Sequence, residues 1–262
     1  MAHLCQSCDR ARLKSAHNFR LIELDGVVAA AVVRILGVVL LATVGLMACA
    51  HPAVARGTMR PPAVRELERV DGAPRPEVLE LALRAYECGQ ETGAVEGPLL
   101  TVIDYSLPST ERRLWVIDVP RRRVLFHELV AHGENSGGNW ATSFSNRPGS
   151  RQSSLGLFRT EGTYVGGHGV SLRLAGLEPG VNDRAMQRQI VMHGADYVDS
   201  GVVDSLGRLG RSWGCPALPR PVSRRVIERI KGGSALFAYY PDRRWLGQSR
   251  FLRCDGVRVA RR

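Results

Sequence analysis

The amino-acid sequence predicts a mainly β domain, a sandwich or barrel with a few short flanking helices. Short aliphatic and β-branched runs, Leu100 to Ser106, Leu114 to Val119 and Val124 to Ala131, follow one another with Pro, Ser and Arg turns between them, as strands do. Only two stretches, Glu77 to Cys88 and Val222 to Ile230, carry the spacing of an amphipathic helix. With 44% apolar and 23% charged residues among 262, the chain can bury one sizeable core and still leave flanking segments, which excludes a disordered or fibrous protein.

Residues 1–50 read as a leader. The run from Ile35 to Ala50 follows Arg34, has the length of a signal-peptide core and ends in small residues. Extending it back over Gly26 to Val33 would make a membrane span with Arg34 inside, at a cost of about 2.5–3.5 kcal/mol for a mid-span charge, so a signal is favoured. Asp9, Glu23 and Asp25 are foreign to a cationic signal start, which suggests that translation begins nearer Val33. Leu46-Met47-Ala48-Cys49 has the form of a lipobox. Lipidation of Cys49 and plain secretion, with cleavage after Ala50 or Ala55, both remain open.

Residues 51–76, with Pro52, Gly57, Pro61 and Pro62, read as a linker. The first helix places Val78, Leu81, Ala82 and Ala85 on one face, with prolines before it and Gly89 at its end. After the three strands, Gly, Ser and Asn dominate from His132 to Asn182, interrupted by apolar pieces at Leu155–Phe158 and Val170–Leu174. These are strands joined by long loops, which commonly carry function. Gln189 to Met192 forms a further strand ending at His193-Gly194; Val222, Val226 and Ile230 mark the second helix, and Ala235 to Tyr240 closes the domain. The folded unit is thus residues 77–245, and 246–262 is a basic, solvated tail.

Net charge is +11, yet of 36 basic residues only Lys14 and Lys231 are lysines, which fits a coding preference for Arg better than a phosphate-binding surface. Together with the leader this argues against nucleic acid as a partner and leaves polyanionic wall or lipid surfaces. Cys5 and Cys8 have half of a zinc-site spacing but no second pair. Of the folded part's cysteines, Cys88, Cys215 and Cys254, the economical pairing in an oxidising compartment joins Cys88 to Cys254 and leaves Cys215 free.

One segment has the makings of a nucleophile and its base: His193-Gly194 at a strand end, then Ser212-Trp213-Gly214-Cys215-Pro216 about twenty residues later. A free thiol has a pKa near 8.5, so a neighbouring imidazole that takes its proton would leave a thiolate–imidazolium pair. Gly194 and Gly214 would let backbone approach a substrate, and N–H groups near Cys215 would receive a developing oxyanion. His127, His132, His168 and His193 lack zincin spacing, so no metal and no cofactor are expected. His132 and His168 lie in Gly-rich contexts suited either to substrate contact and imidazole support or to local hydrogen bonding. Tyr164 would either line the pocket or serve packing, Ser153-Ser154 and Arg173 would either meet polar substrate groups or, as is commoner, be a strand-edge serine pair and a surface arginine, and Trp213 would be a substrate platform or a lid over the thiol.

His193-Gly194 with Ser212-x-Gly214-Cys215 resembles the active-site signature of the L,D-transpeptidase (YkuD-type) family, closest to its murein L,D-transpeptidase catalytic-domain branch. The likeness continues through Val102–Ser106, Arg113–Asp118, Ala131–Gly133, Phe144–Asn146, Ser153–Gly156, Tyr164–Gly169, Ser171–Leu174, Gly176–Glu178 and Gly207–Ser212, and so covers roughly residues 77–242. It implies a bacterial envelope enzyme, periplasmic or an outer-membrane lipoprotein, that attacks peptidoglycan stem peptides at diaminopimelate. Cys215 would be the nucleophile and His193 its base, with Ser212 and Gly214 shaping the catalytic loop. The acyl group would pass to a stem-peptide amine, to a lipoprotein lysine or to water. The last makes the protein an L,D-carboxypeptidase or a lipoprotein-releasing amidase, and a non-catalytic wall-binding lipoprotein is the remaining alternative. Pro216 stands where the family usually has Arg or Asn, and Trp213 where a second His is common.

Overall fold

The computed structural model describes residues 62–254, so the leader with its signal, lipobox and start site, the first part of the linker and the end of the tail lie outside the described residues. In chain order the elements are α1 (Pro62–Leu67), α2 (Pro76–Glu91), β1 (Leu99–Asp104), β2 (Leu114–Asp118), β3 (Arg123–Glu128), a 3-10 turn (Glu134–Ser136), β4 (Gly156–Gly166) and β5 (Gly169–Gly176). They continue with β6 (Val191–Ala195), α3 (Ser200–Leu206), β7 (Ala217–Pro219), α4 (Arg220–Ile230), β8 (Ala235–Tyr239), α5 (Arg243–Gln248) and α6 (Arg250–Arg253).

The eight strands form one mixed sheet in the order β3-β2-β1-β8-β4-β5-β6-β7. Pairs β1–β8 and β6–β7 are parallel and the others antiparallel. A bridge from Ala131, just after β3, to Ala217 on β7 brings the two ends of the sheet together into what is nearly a barrel. The central strands β1, β2 and β8 are buried along their whole length, as α2 covers β1 and β8. Such strands read as near-continuous apolar runs, which is why Leu99–Asp104 and Ala235–Tyr239 stood out. By contrast β4 runs from buried Gly156 to exposed Gly166 and leaves the core as a hairpin with β5, turning at Gly167-His168.

The packed region is wider than the sequence suggested. Residues expected to be linker hold α1, whose Leu67 is fully buried, and Gly72, whose carbonyl accepts the Trp115 indole N–H at 2.6 Å. The segment read as a solvated tail contains α6, with Phe251 and Leu252 in the core. In both places one or two apolar side chains set among arginines and prolines dock against α2, too few to produce a periodic pattern. A disulfide joins Cys88 to Cys254, with Cα atoms 5.4 Å apart, and Cys215 is a free thiol, the pairing expected from the sequence.

Candidate active site

Parallel pairing of β6 with β7 sets His193 opposite Ala217, and the His193 N–H donates to the Pro216 carbonyl at 3.4 Å. The Gly210–Pro216 loop therefore delivers Cys215 alongside the strand that carries the histidine. One hydroxyl closes this loop: Ser212 Oγ donates to the Cys215 carbonyl at 2.6 Å and accepts the Gly214 N–H at 3.1 Å. Gly214 has φ +119°, a region that L side chains rarely adopt, and a Cβ there would lie 2.7 Å from the Gln152 carbonyl. Ser212 and Gly214 thus shape the Gly210–Pro216 loop.

Cys215 Sγ accepts the Val191 N–H at 3.4 Å and directs its proton toward the Gln189 carbonyl at 3.7 Å. Gln189 itself sits at φ +56°, an uncommon backbone for a non-glycine residue, directly beside the thiol. Burial pushes the Cys215 thiol up from its ordinary pKa, opposed by the Val191 N–H and by the nearby Arg188 guanidinium. Burial likewise pushes the His193 imidazole down; the Gly194 carbonyl opposes this, while His168 and Arg220 reinforce it. Nδ1 of His193 lies 3.1 Å from the Gly194 carbonyl and donates to it, which leaves Nε2 as the basic nitrogen. Among the described residues no hydrogen bond joins His193 to Cys215. Burial disfavours both charged forms, and so works against the standing thiolate–imidazolium pair that the sequence suggested.

Of the residues expected to meet substrate, three are turned to other tasks. His132 is buried: its Nδ1 accepts from Arg113 at 2.7 Å, its Nε2 faces the Gly137 carbonyl at 3.4 Å, and its own carbonyl holds the Ser212 N–H at 3.0 Å. It braces the Gly210–Pro216 loop from behind. Gly194 packs against α4, where a Cβ would collide with Ser223 Oγ. Ser154 is buried in the wall, donating to the Ser145 carbonyl at 2.8 Å and accepting from Arg188 at 2.5 Å. In each case the polar or small residue satisfies a packing or hydrogen-bonding demand of the fold.

Four others, Trp213, His168, Tyr164 and Arg173, are exposed. Trp213 is 70% exposed, with the Arg151 guanidinium 4.6 Å from its ring centre. His168, at the tip of the β4–β5 hairpin, stacks on His193 with ring centres 4.3 Å apart and planes 23° off parallel. Tyr164 lines a cleft of about 400 Å³ together with Arg173, Met186, Gln189, Ile190 and Val191. That cleft adjoins the Cys215 thiol, since Gln189 and Val191 are the partners of its Sγ.

Two arginines at the site escaped the sequence reading of roles. Arg188 donates to the Ser145 and Gln152 carbonyls and to Ser154 Oγ, each at 2.5 Å, and to Ser150 Oγ at 3.1 Å, tying the 145–154 segment beneath Gly214. Arg113 is fully buried; besides His132 it binds the Val130 carbonyl at 2.9 and 3.1 Å and the Leu107 carbonyl at 2.7 Å. Burial lowers Arg113 to a pKa of about 10, and burial with the Arg113 charge lowers His132 to about 4. Arginines at a strand start and in a polar loop ordinarily signal surface, and nothing local marks these two as different.

A family model described as L,D-transpeptidase catalytic domain matches residues 72–239. No curated protein matches the chain. Among solved structures it is similar to an L,D-transpeptidase from Mycobacterium smegmatis, with 13% identity, 55% of this chain and 59% of that one covered, and a TM-score of 0.35. It is also similar to L,D-transpeptidase 1 of Mycobacterium tuberculosis, with 13% identity, coverage of 55% and 62%, and a TM-score of 0.31. The helical cell shape determining protein Pgp2 from Campylobacter jejuni gives 13% identity, coverage of 65% and 58%, and a TM-score of 0.38. The chain spans about three fifths of the length of these structures. Since the family model takes in well over half of the sequence, the chain belongs to the L,D-transpeptidase catalytic domain family.

Proposed function

We propose that this protein is a peptidoglycan L,D-transpeptidase of the bacterial envelope, working through Cys215 and His193 without a cofactor. The observation that carries the reading is the free thiol of Cys215, set beside the strand of His193 and next to an open cleft, while the other two described cysteines are locked in a disulfide. Sγ attacks the diaminopimelate carbonyl of a stem peptide and its proton passes to Nε2 of His193. The tetrahedral adduct collapses to a thioester as His193 returns the proton to the departing D-alanine amine. An acceptor amine, on another stem or on a lipoprotein lysine, then attacks the thioester and restores the thiol. Because burial favours the neutral thiol and the neutral imidazole, proton transfer accompanies attack, as is common where catalytic hydrogen bonds tighten only with substrate. The Cys88–Cys254 disulfide supports residence in an oxidising compartment, consistent with export and with anchorage through the leader.

The test is intact-protein mass spectrometry after incubation with a disaccharide-tetrapeptide. The expected result is a covalent adduct with release of D-alanine for the wild-type protein and none for Cys215→Ala. Absence of an adduct on the wild type overturns the reading. Product analysis with and without an acceptor amine then separates transfer from hydrolysis.

A further inference from the structure

We infer that Arg173, with Tyr164 beneath it, forms a carboxylate-binding subsite beside Cys215. The sheet register places it there. Arg173 pairs with Val191 across the β5–β6 ladder, and the Val191 N–H is the group that donates to Cys215 Sγ at 3.4 Å. Directly paired residues of an antiparallel ladder have Cα atoms about 4.5–5.5 Å apart and side chains on the same face. Alternation along the strands then aligns Tyr164, opposite Ser171, with Arg173, Val191 and His193 on one face, while Leu172 and Met192 point into the core from the other. Arg173 is therefore a near neighbour of the nucleophile although it is 42 positions away in sequence.

Its bonding capacity is unspent. Its guanidinium carbon lies 4.6 Å from the Tyr164 ring centre, and among the described residues the group makes no hydrogen bond and no ion pair. No Asp or Glu lines the cleft. Arg188, whose charge also acts on the Cys215 thiol, adds a second cation whose hydrogen-bond partners are all neutral. A planar guanidinium held on an aromatic ring at the edge of an acid-free cleft recognises a carboxylate, through paired N–H donors. Given the function proposed above, that carboxylate is the free C-terminus of the donor stem peptide, one residue beyond the carbonyl that Cys215 attacks. Arg173 thus makes the enzyme select stems with a single terminal residue to expel.

The subsite is tested first without any substrate. Cys215 in the full chain is alkylated with iodoacetate and, separately, with iodoacetamide, and the two rates are divided, which cancels any change in thiolate fraction. The ratio is expected to fall about tenfold in Arg173→Met, the loss of one charge-assisted contact, and to recover in part in Arg173→Lys. An unchanged ratio in Arg173→Met overturns the subsite. Arg173 is exposed, so the variant removes no core contact. Acylation by a tetrapeptide with a free C-terminus is then compared with acylation by its C-terminal amide. Wild type should prefer the acid and Arg173→Met should lose that preference, whereas equal preference in both proteins refutes the assigned ligand. A subsite that passes the alkylation test in a protein that no stem peptide acylates would leave the carboxylate site standing and remove the transpeptidase reading instead.

Discussion

On one side of the Gly210–Pro216 loop, Arg113 and His132 are buried and bonded to each other and to the Val130, Leu107 and Gly137 carbonyls; on the other, His168, Tyr164 and Arg173 stand on the β4–β5 hairpin with room around them. The residue types are nearly the same on both sides, an arginine and a histidine, but burial divides their work. Inside, each polar atom must find a protein partner, so the pair becomes scaffold and holds Ser212 through the His132 carbonyl. Outside, water satisfies such groups until a ligand displaces it, so the hairpin keeps donors to offer.

Breaking the buried side has the largest expected effect. Arg113→Met removes a fully buried guanidinium and leaves three acceptors without donors, which should cost about 3–5 kcal/mol of stability in urea unfolding. Acidification challenges the same wall without a mutation. Native His132 stays neutral down to about pH 4, whereas in the unfolded chain it binds a proton near 6.5. Between those values the unfolded state carries more protons, so stability should fall by on the order of 3 kcal/mol as pH drops from 7 to 4, with no contribution from this group above 7. His132→Asn should flatten that part of the stability–pH curve; an equally steep curve would assign the effect elsewhere.

The exposed side should respond in reactivity and hardly at all in stability. His168→Ala is expected to change unfolding free energy by no more than about 0.5 kcal/mol. It uncovers the His193 ring and removes a group that lowers its pKa. The acid limb of the kcat/KM profile, which reports the base losing its proton, should therefore move to higher pH. A limb that stays in place would show that the stacked ring leaves the base untouched.

The contrast also explains what was readable in the sequence. Leu114–Asp118 and Ala235–Tyr239 announced themselves because central strands covered on both sides need unbroken apolar runs. The proximity of Cys215 and the His193 strand was readable because a glycine-bounded cysteine and a strand-end histidine are chemically unusual. Three features were not. The eleven-residue strand β4 leaves the core halfway, so its outer half has no buried face to mark it. α1 and α6 dock through one or two side chains each. The burial of Arg113 and His132 depends on partners distant in sequence, and a polar residue has the same letter whether its donors meet water or a carbonyl.

The strand completed last, β8, lies in the middle of the sheet between β1 and β4. As the chain is synthesised or threaded through a membrane from its N-terminus, strands β1 to β3 and β4 to β7 exist as two half-sheets whose facing edges stay open until Ala235–Tyr239 arrives. Open edges invite pairing with other chains. The sheet is therefore completed only when almost all of the domain is available, and a chain that stops short of Ala235 is expected to keep two open edges.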